Sequence, residues 1–397
     1  MAIVAADLVW VLISSALILF MLPGLAFFYG GMVRRKNVLS SMMHSFAAMG
    51  VMTIEWVVIG YSLAFGTGNW FIGDLEHAFL RGIDLYSVSG TIPTYAFVVF
   101  QGMFAVITPA LISGAIVGRA KFSSYIAFIA LWGLIVYAPV CHWVWGGGFL
   151  TGEALDFAGG TVVHVTSGIS SLAILVFLGK RKGYGIDSIK PHNVTLTLLG
   201  TGLLWFGWFG FNAGSALAAN EVAGLAFITT FIAPAAAGLS WMAIEWMSTG
   251  KPTALGFATG ILAGLVVITP AAGFVTPMAA LVMGLIAGVI CYKAVMLKGK
   301  LGYDDSLDAF GVHGVGGITG AILTGVFASV GATSLLLGDS HQLFIQVEGV
   351  IITIVYAVAC TLIIGLVLQK TIGFKVSESE ENIGLDKTQH GESAYNI

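Results

Sequence analysis

Apolar stretches of about 20 residues, the length that crosses a bilayer core as a helix, recur along the whole chain between short polar breaks. They fall at 7–30, 39–65, 94–117, 123–142, 159–179, 194–215, 222–247, 254–270, 277–296, 306–330 and 343–369. The pattern predicts an all-α integral membrane protein with eleven transmembrane helices. The longest interior break, 66–93, is polar enough to lie outside the bilayer. The first run lacks a basic leader, so no cleavable signal is expected. From about Thr371 the periodicity stops, and the segment around VSESEEN is acidic and polar. That composition reads as a flexible cytoplasmic tail. The chain thus divides into a transmembrane domain, 1–370, and a tail, 371–397.

Composition agrees with this reading. Only 9% of residues are charged and 57% are hydrophobic, against about 25% charged in a soluble domain. The 53 glycines suit closely packed membrane helices. A net charge of −3 speaks against nucleic acid as a partner. Cys141, Cys291 and Cys360 sit in or beside apolar runs without metal-ligand spacing, and read as small core residues. No nucleophile–base or metal constellation points to an enzyme, and no cofactor is implied.

Charge also sets orientation. Of the 17 Lys and Arg residues, Arg81 alone falls on one side of the predicted membrane, and the rest, from Arg34 to Lys387, on the other. The positive-inside rule puts the amino terminus outside and the carboxyl terminus in the cytoplasm of a multi-pass plasma-membrane protein. An odd number of spans per half would invert the second half on the first. The expected architecture is therefore two inverted, pseudo-symmetric five-helix halves plus a final helix, with a substrate path at their interface.

Two histidines lie deep in apolar helices: His164 in FAGGTVVHVTSG and His313 in DAFGVHGVGG. They lie in the last helix of each half, so an internal two-fold would bring them together near mid-membrane. An ionisable group at that depth is costly and marks a functional site by default. The bland alternative is a pair of neutral core histidines bonded to carbonyls. A metal site is a weaker alternative, because no third ligand stands near either one. The matching positions favour one site for a small polar ligand able to exchange a proton with imidazole.

Aromatic stripes accompany them. Phe100 and Phe104 share a face in FQGMF, and Trp208, Phe211 and Ser215 share one in GLLWFGWFGFNAGSA. Such stripes are more often packing than path. Trp145, at the outer end of the fourth span, reads either as an interfacial tryptophan or as a cation–π platform. Asp156 either caps the fifth helix or places charge beneath a cation site. Glu55 is a third intramembrane ionisable group without an evident partner.

The segments MLPGLAFFYGGMVRRKN, FQGMF, HWVWGGG, ALDFAGGTVVH, PHN, WFGWFGFNAGSA, ITPAAGFV, DDSLDAFGVHGVGG and GLDKTQHGESAY span nearly the whole chain. Together they resemble the ammonium transporter (Amt/Mep/Rh) family, in its prokaryotic Amt branch. The resemblance implies a homotrimer with one pore per subunit, carrying ammonium or ammonia, with methylammonium as a candidate further substrate. It implies that Trp145, Phe104 and Ser215 recruit the cation, supported by Asp156, and that Phe104 and Phe211 form a gate. His164 and His313 would line the pore, with Phe100, Trp208 and Thr269 at pore or pore-adjacent positions. Thr67 departs from relatives that carry an acidic residue near the outer mouth. The tail, with Gly384 and Asp386, would pack on the cytoplasmic face, where PII-type signalling proteins block prokaryotic relatives. Asp304, Asp305 and Asp308 would meet the tail or a basic loop there. The implied chemistry is deprotonation of ammonium at the gate, passage of ammonia and reprotonation inside, with net charge movement; potassium has no proton to give. A neutral-gas pore and an ammonium sensor are the competing expectations. The short tail speaks against an autonomous sensor, and Trp145 with Ser215 against a gas pore.

Overall fold

The computed structural model describes residues 2–187 and 189–395, so residues 396 and 397 of the tail lie outside the described residues. Among the described residues, ten helical runs are long and apolar enough to cross a bilayer. They are α1 Ala5–Met32, α2 Arg35–Phe65, α3 Thr94–Ile116, α4 Phe122–Trp145, α5 Gly160–Leu178, α6 Val194–Gly214, α7 Glu221–Thr249, α9 Pro277–Leu301, α10 Phe310–Phe327 and α11 Ser340–Thr371. Between α7 and α9 lies α8, Ala254–Ile268, which has 15 residues. At 1.5 Å per residue it reaches about 22 Å, short of the roughly 30 Å hydrocarbon core. It packs against α6, α7, α9 and α10. In the break at 66–93, Val88–Ser89 pairs antiparallel with Ile92–Pro93.

Local chemistry fixes several helix starts. Asn193, Asn220, Thr253 and Thr276 each accept a backbone N–H from the first turn of α6, α7, α8 and α9 respectively. Asp339 does the same for α11. The helices α7 and α9 stop at Gly250 and Gly302, whose φ of 81° and 72° are left-handed.

The first turns of α5 and α10 deviate from the α-helix. Gly160–Val165 and Phe310–Gly314 are π-helical. Thr166 N–H reaches back five residues to Thr161 O, and Val315 N–H to Phe310 O. These turns carry His164 and His313. A π turn inserts one residue and rotates the side chains that follow, which is why such turns gather at functional sites. The two helices also cross closely. A Cβ at Gly168 would overlap the backbone of Gly314, and one at Gly317 would lie 3.0 Å from His164 Cβ. Only glycine permits that approach.

The flexible-tail expectation is overturned. Residues after α11 fold into α12, Glu378–Ile383, and α13, Leu385–His390, docked on the chain's own basic loops. Ser377 and Glu380 form a reciprocal cap at the start of α12. Lys121 N–H donates to Phe374 O and Val376 N–H to Arg119 O. Lys182 N–H donates to Glu381 at 2.6 Å, and Lys36 Nζ to the Glu381 and Asn382 carbonyls. Composition predicted disorder because acidic residues cannot bury apolar area; here they bind fixed amides and cations instead.

Candidate functional site

His164 and His313 meet. Their Nδ1 atoms are 3.2 Å apart, and the rings stack at 5.2 Å with 19° between planes. Both are buried. A hydrogen bond between two Nδ1 atoms requires one ring to donate and the other to accept. With both rings neutral, the acceptor carries its proton on Nε2 and the donor has a bare Nε2. The pair therefore offers one donor and one acceptor to its surroundings, and loses its internal bond if both rings are protonated. His164 Nε2 has no protein partner. Trp208 stacks on His164 at 5.4 Å, and its Nε1–H donates to Thr269 Oγ1 at 2.9 Å, which fixes the indole.

The histidines line a narrow cavity of about 50 Å³ with Met21, Leu25, Leu204, Trp208, Phe211 and Val312 among its other walls. Phe211 closes one end, packed on Phe104 at 4.4 Å between ring centres. Beyond Phe104 lies a wider pocket of about 290 Å³, lined also by Trp145, Ser215, Gln101, Phe157 and Leu217. At the other end the cavity adjoins a pocket of about 300 Å³ at the tail face, lined by Arg181, Lys298 and Asp308 among others. Wide pocket, aromatic plug, narrow tube and second pocket thus follow one another. Aromatic pairs hold by about 1 kcal/mol beyond their buried area, so a plug of two rings opens thermally.

In the wide pocket, Trp145 Nε1–H donates to Asp156 O at 2.9 Å. Its N–H is consumed, and its ring lines the pocket with Phe104 packed roughly perpendicular to it at 5.6 Å. Ser215 Oγ donates to Phe211 O at 2.8 Å, leaving oxygen lone pairs free to accept. Asp156 is a cap: its two carboxylate oxygens take the N–H groups of Gly159, Gly160, Thr161 and Val162 at 2.6–3.0 Å. It orders the π turn before His164 and, through its carbonyl, holds Trp145.

Phe100 and Thr269 do not line the path. Phe100 stands edge-on behind Phe104 at 5.2 Å, and Thr269 behind Trp208. Glu55 lies against Gly133 between α2 and α4, outside the path. Thr67 donates through N–H and hydroxyl to Glu76, so a neighbouring residue brings a carboxylate to that position. Sequence reasoning missed Gln101, whose buried Oε1 lacks a partner in the wide pocket wall. It lay inside the FQGMF segment, but a helical glutamine carries no signal of its own.

The acidic loop meets a basic loop, and among the described residues its side chains make no hydrogen bond or ion pair with the tail. Asp304 binds Arg181 and lies 3.8 Å from Arg119, Asp305 accepts from Ala309 and Phe310 N–H, and Asp308 pairs with Lys298. Burial pushes the Asp305 carboxyl up, and the Asp308 charge adds to it. Gly384 and Asp386 serve the docked tail. Gly384 has φ of 111°, and a Cβ there would lie 2.6 Å from Lys36 O. Asp386 Oδ1 accepts Ser40 N–H at 2.8 Å.

A polytopic helical protein with an apolar tube between two pockets belongs to the class of membrane channels and transporters. The profile of the Ammonium Transporter Family matches residues 9–395, and the chain belongs to that family. It is 52% identical over 396 residues to the ammonium transporter of Aquifex aeolicus, covering 98% of this chain and 93% of the relative. Against the ammonium transporter of Bacillus subtilis it is 49% identical over 399 residues, covering 98% of each. The crystal structure of Saccharomyces cerevisiae Mep2 superposes with a TM-score of 0.89 at 38% identity, covering 95% of this chain and 88% of that one. A structure described as a sensor Amt protein gives 0.90 at 32% identity, covering 97% and 98%.

Replacing Asp156 removes the acceptor for four amides. Asp156→Ala is expected to lower unfolding stability by about 2–4 kcal/mol, and Asp156→Asn, which keeps one oxygen acceptor, by about half as much. Equilibrium unfolding in mixed micelles checks this; an Ala variant as stable as wild type would contradict the cap.

Proposed function

We propose that this protein is an ammonium transporter that recruits the cation in the wide pocket, removes its proton at the aromatic plug and conducts ammonia past His164 and His313. The observation that carries the reading is the buried imidazole pair in an apolar tube. An ammonium ion beside the histidines loses its water among apolar walls, with the tube's carboxylate, Asp308, standing only at the tail-face end, so it costs several kcal/mol there. Ammonia has no charge to desolvate, and its lone pair and N–H bonds match the donor and acceptor that the pair offers. In the wide pocket the Trp145 face supplies cation–π attraction of about 0.5–2 kcal/mol, and Ser215 supplies an oxygen. Potassium binds such a pocket equally well and has no proton to leave behind.

The proton passes to water in the wide pocket, giving ammonia and hydronium, and then crosses apart from the ammonia along the hydrogen-bonded imidazole pair, so transport is electrogenic. The basic face is cytoplasmic by the positive-inside rule. The helix α8 is the eleventh span, completing two inverted five-helix halves with α11 left over. The family membership supports three copies assembling side by side, each with its own path. The tail acts as a regulatory element at the cytoplasmic face, where a PII-type protein docks. A second reading, ammonium sensing through a partner, is favoured by the similarity to the sensor Amt structure.

Reconstituted in liposomes, the wild type is expected to give a transient current with ammonium and none with potassium. His164→Ala with His313→Ala is expected to lose the current or its selectivity. Ammonia flux without current would make the path a gas pore, and neither flux nor current would favour the sensor. Gly384→Val should undock the tail and lower transport several-fold while the trimer persists in light scattering. Full transport would contradict the tail's role, and a monomeric wild type the assembly.

A further inference from the structure

The narrow tube ends on a carboxylate, and that carboxylate already holds an ammonium group. Asp308 lines both the histidine cavity and the tail-face pocket. The other residues shared by the two are Met32, Leu255 and Leu307, all apolar. Asp308 is therefore the charged acceptor at the neck between tube and pocket. Its Oδ1 receives a hydrogen bond from Lys298 Nζ. The same Nζ donates to the Asp305 carbonyl at 2.9 Å. Both side chains keep contact with solvent, 27% exposed for Asp308 and 19% for Lys298.

Asp308 is not needed there as a helix cap. Asp305 already takes the Ala309 and Phe310 amides at the start of α10. Asp308 also sits at φ of 62°, a left-handed conformation that a non-glycine residue holds only when its surroundings impose it. Its backbone carbonyl accepts Val312 N–H, one residue before His313. The strained backbone thus ties the histidine turn to the position of this carboxylate.

A lysine head group is an alkylated ammonium ion, with a full positive charge and three N–H donors. A carboxylate that accepts it accepts free ammonium by the same bonds. We propose that Asp308 is the inner ammonium site of the path, and that Lys298 is a tethered competitor which clears it. This rests on the transport reading above. Ammonia leaving the tube takes a proton from hydronium in the tail-face pocket, giving ammonium and water. The new cation rests on Asp308 while Nζ keeps its bond to the Asp305 carbonyl. Return of Nζ to Asp308 displaces the cation into the pocket. Without the tether the carboxylate would retain product; without the carboxylate, nothing at the neck would stabilise the cation once formed.

The test uses the full-length protein in right-side-out proteoliposomes, with methylammonium uptake measured against rising internal ammonium. Lys298→Met is expected to be inhibited by internal ammonium at about tenfold lower concentration than wild type, a difference of about 1.4 kcal/mol in site affinity. Asp308→Asn is expected to shift the inhibition about tenfold the other way, and Asp308→Glu to restore it toward wild type. Damage to the fold would slow uptake in both variants without moving these midpoints in opposite directions. Unchanged midpoints, or midpoints that move together, would overturn the proposal. Wild-type liposomes that take up no methylammonium and no ammonium would overturn the transport reading instead.

Discussion

The structure depends on one hydrogen bond between two buried imidazoles near the centre of the helical bundle. Everything around it serves the approach of the two rings. The α5 and α10 backbones meet where Gly168 faces Gly314, and a methyl group at Gly168 would overlap the Gly314 backbone and push the helices apart. The π turns at Gly160–Val165 and Phe310–Gly314 rotate the histidines out of the ordinary helical register. Trp208, held by Thr269, stacks on one ring. Asp156 anchors the first of those turns by four amides, and Asp305 anchors the second by two. Each histidine-bearing turn is thus fixed by an aspartate that accepts amides at a helix start.

The electrostatics follow from that centre. A narrow tube with largely apolar walls favours a neutral molecule over an ion, and the charged and polar groups stand toward its two ends. One end offers an indole and a hydroxyl oxygen in the wide pocket. The other end offers a carboxylate balanced by a lysine, in a pocket bordered by the Arg181–Asp304 pair. The asymmetry lies in the kind of acceptor at each end, with the same neutral passage between.

Much of this was legible in the sequence because membrane helices write their spans as length and hydropathy. Ten of the predicted spans coincide with long helices, and the predicted run at 254–270 falls on α8, whose 15 residues are shorter than a bilayer-crossing helix. The histidines stood out because an ionisable group at depth is rare. What was not legible has a common cause: it depends on backbone geometry that composition does not encode. The π turns leave no periodic trace over a single turn. Asp156 was compatible with cap and with cation site, and only its four amide bonds decide for the cap. The acidic tail read as unstructured because its partners, Lys36, Lys121 and Lys182, lie hundreds of residues earlier. Asp308 and Lys298 are separated by a helix end, and no spacing rule joins them.

The central claim is that ammonium leaves its proton before the narrow tube. The most direct measurement is the ammonium-induced current of the wild-type protein in liposomes, compared in light and heavy water at matched pH and pD. If an N–H bond breaks at the aromatic plug and the proton travels separately, the current falls clearly in heavy water. Equal currents in both solvents would mean that the ion passes intact, and would contradict the account.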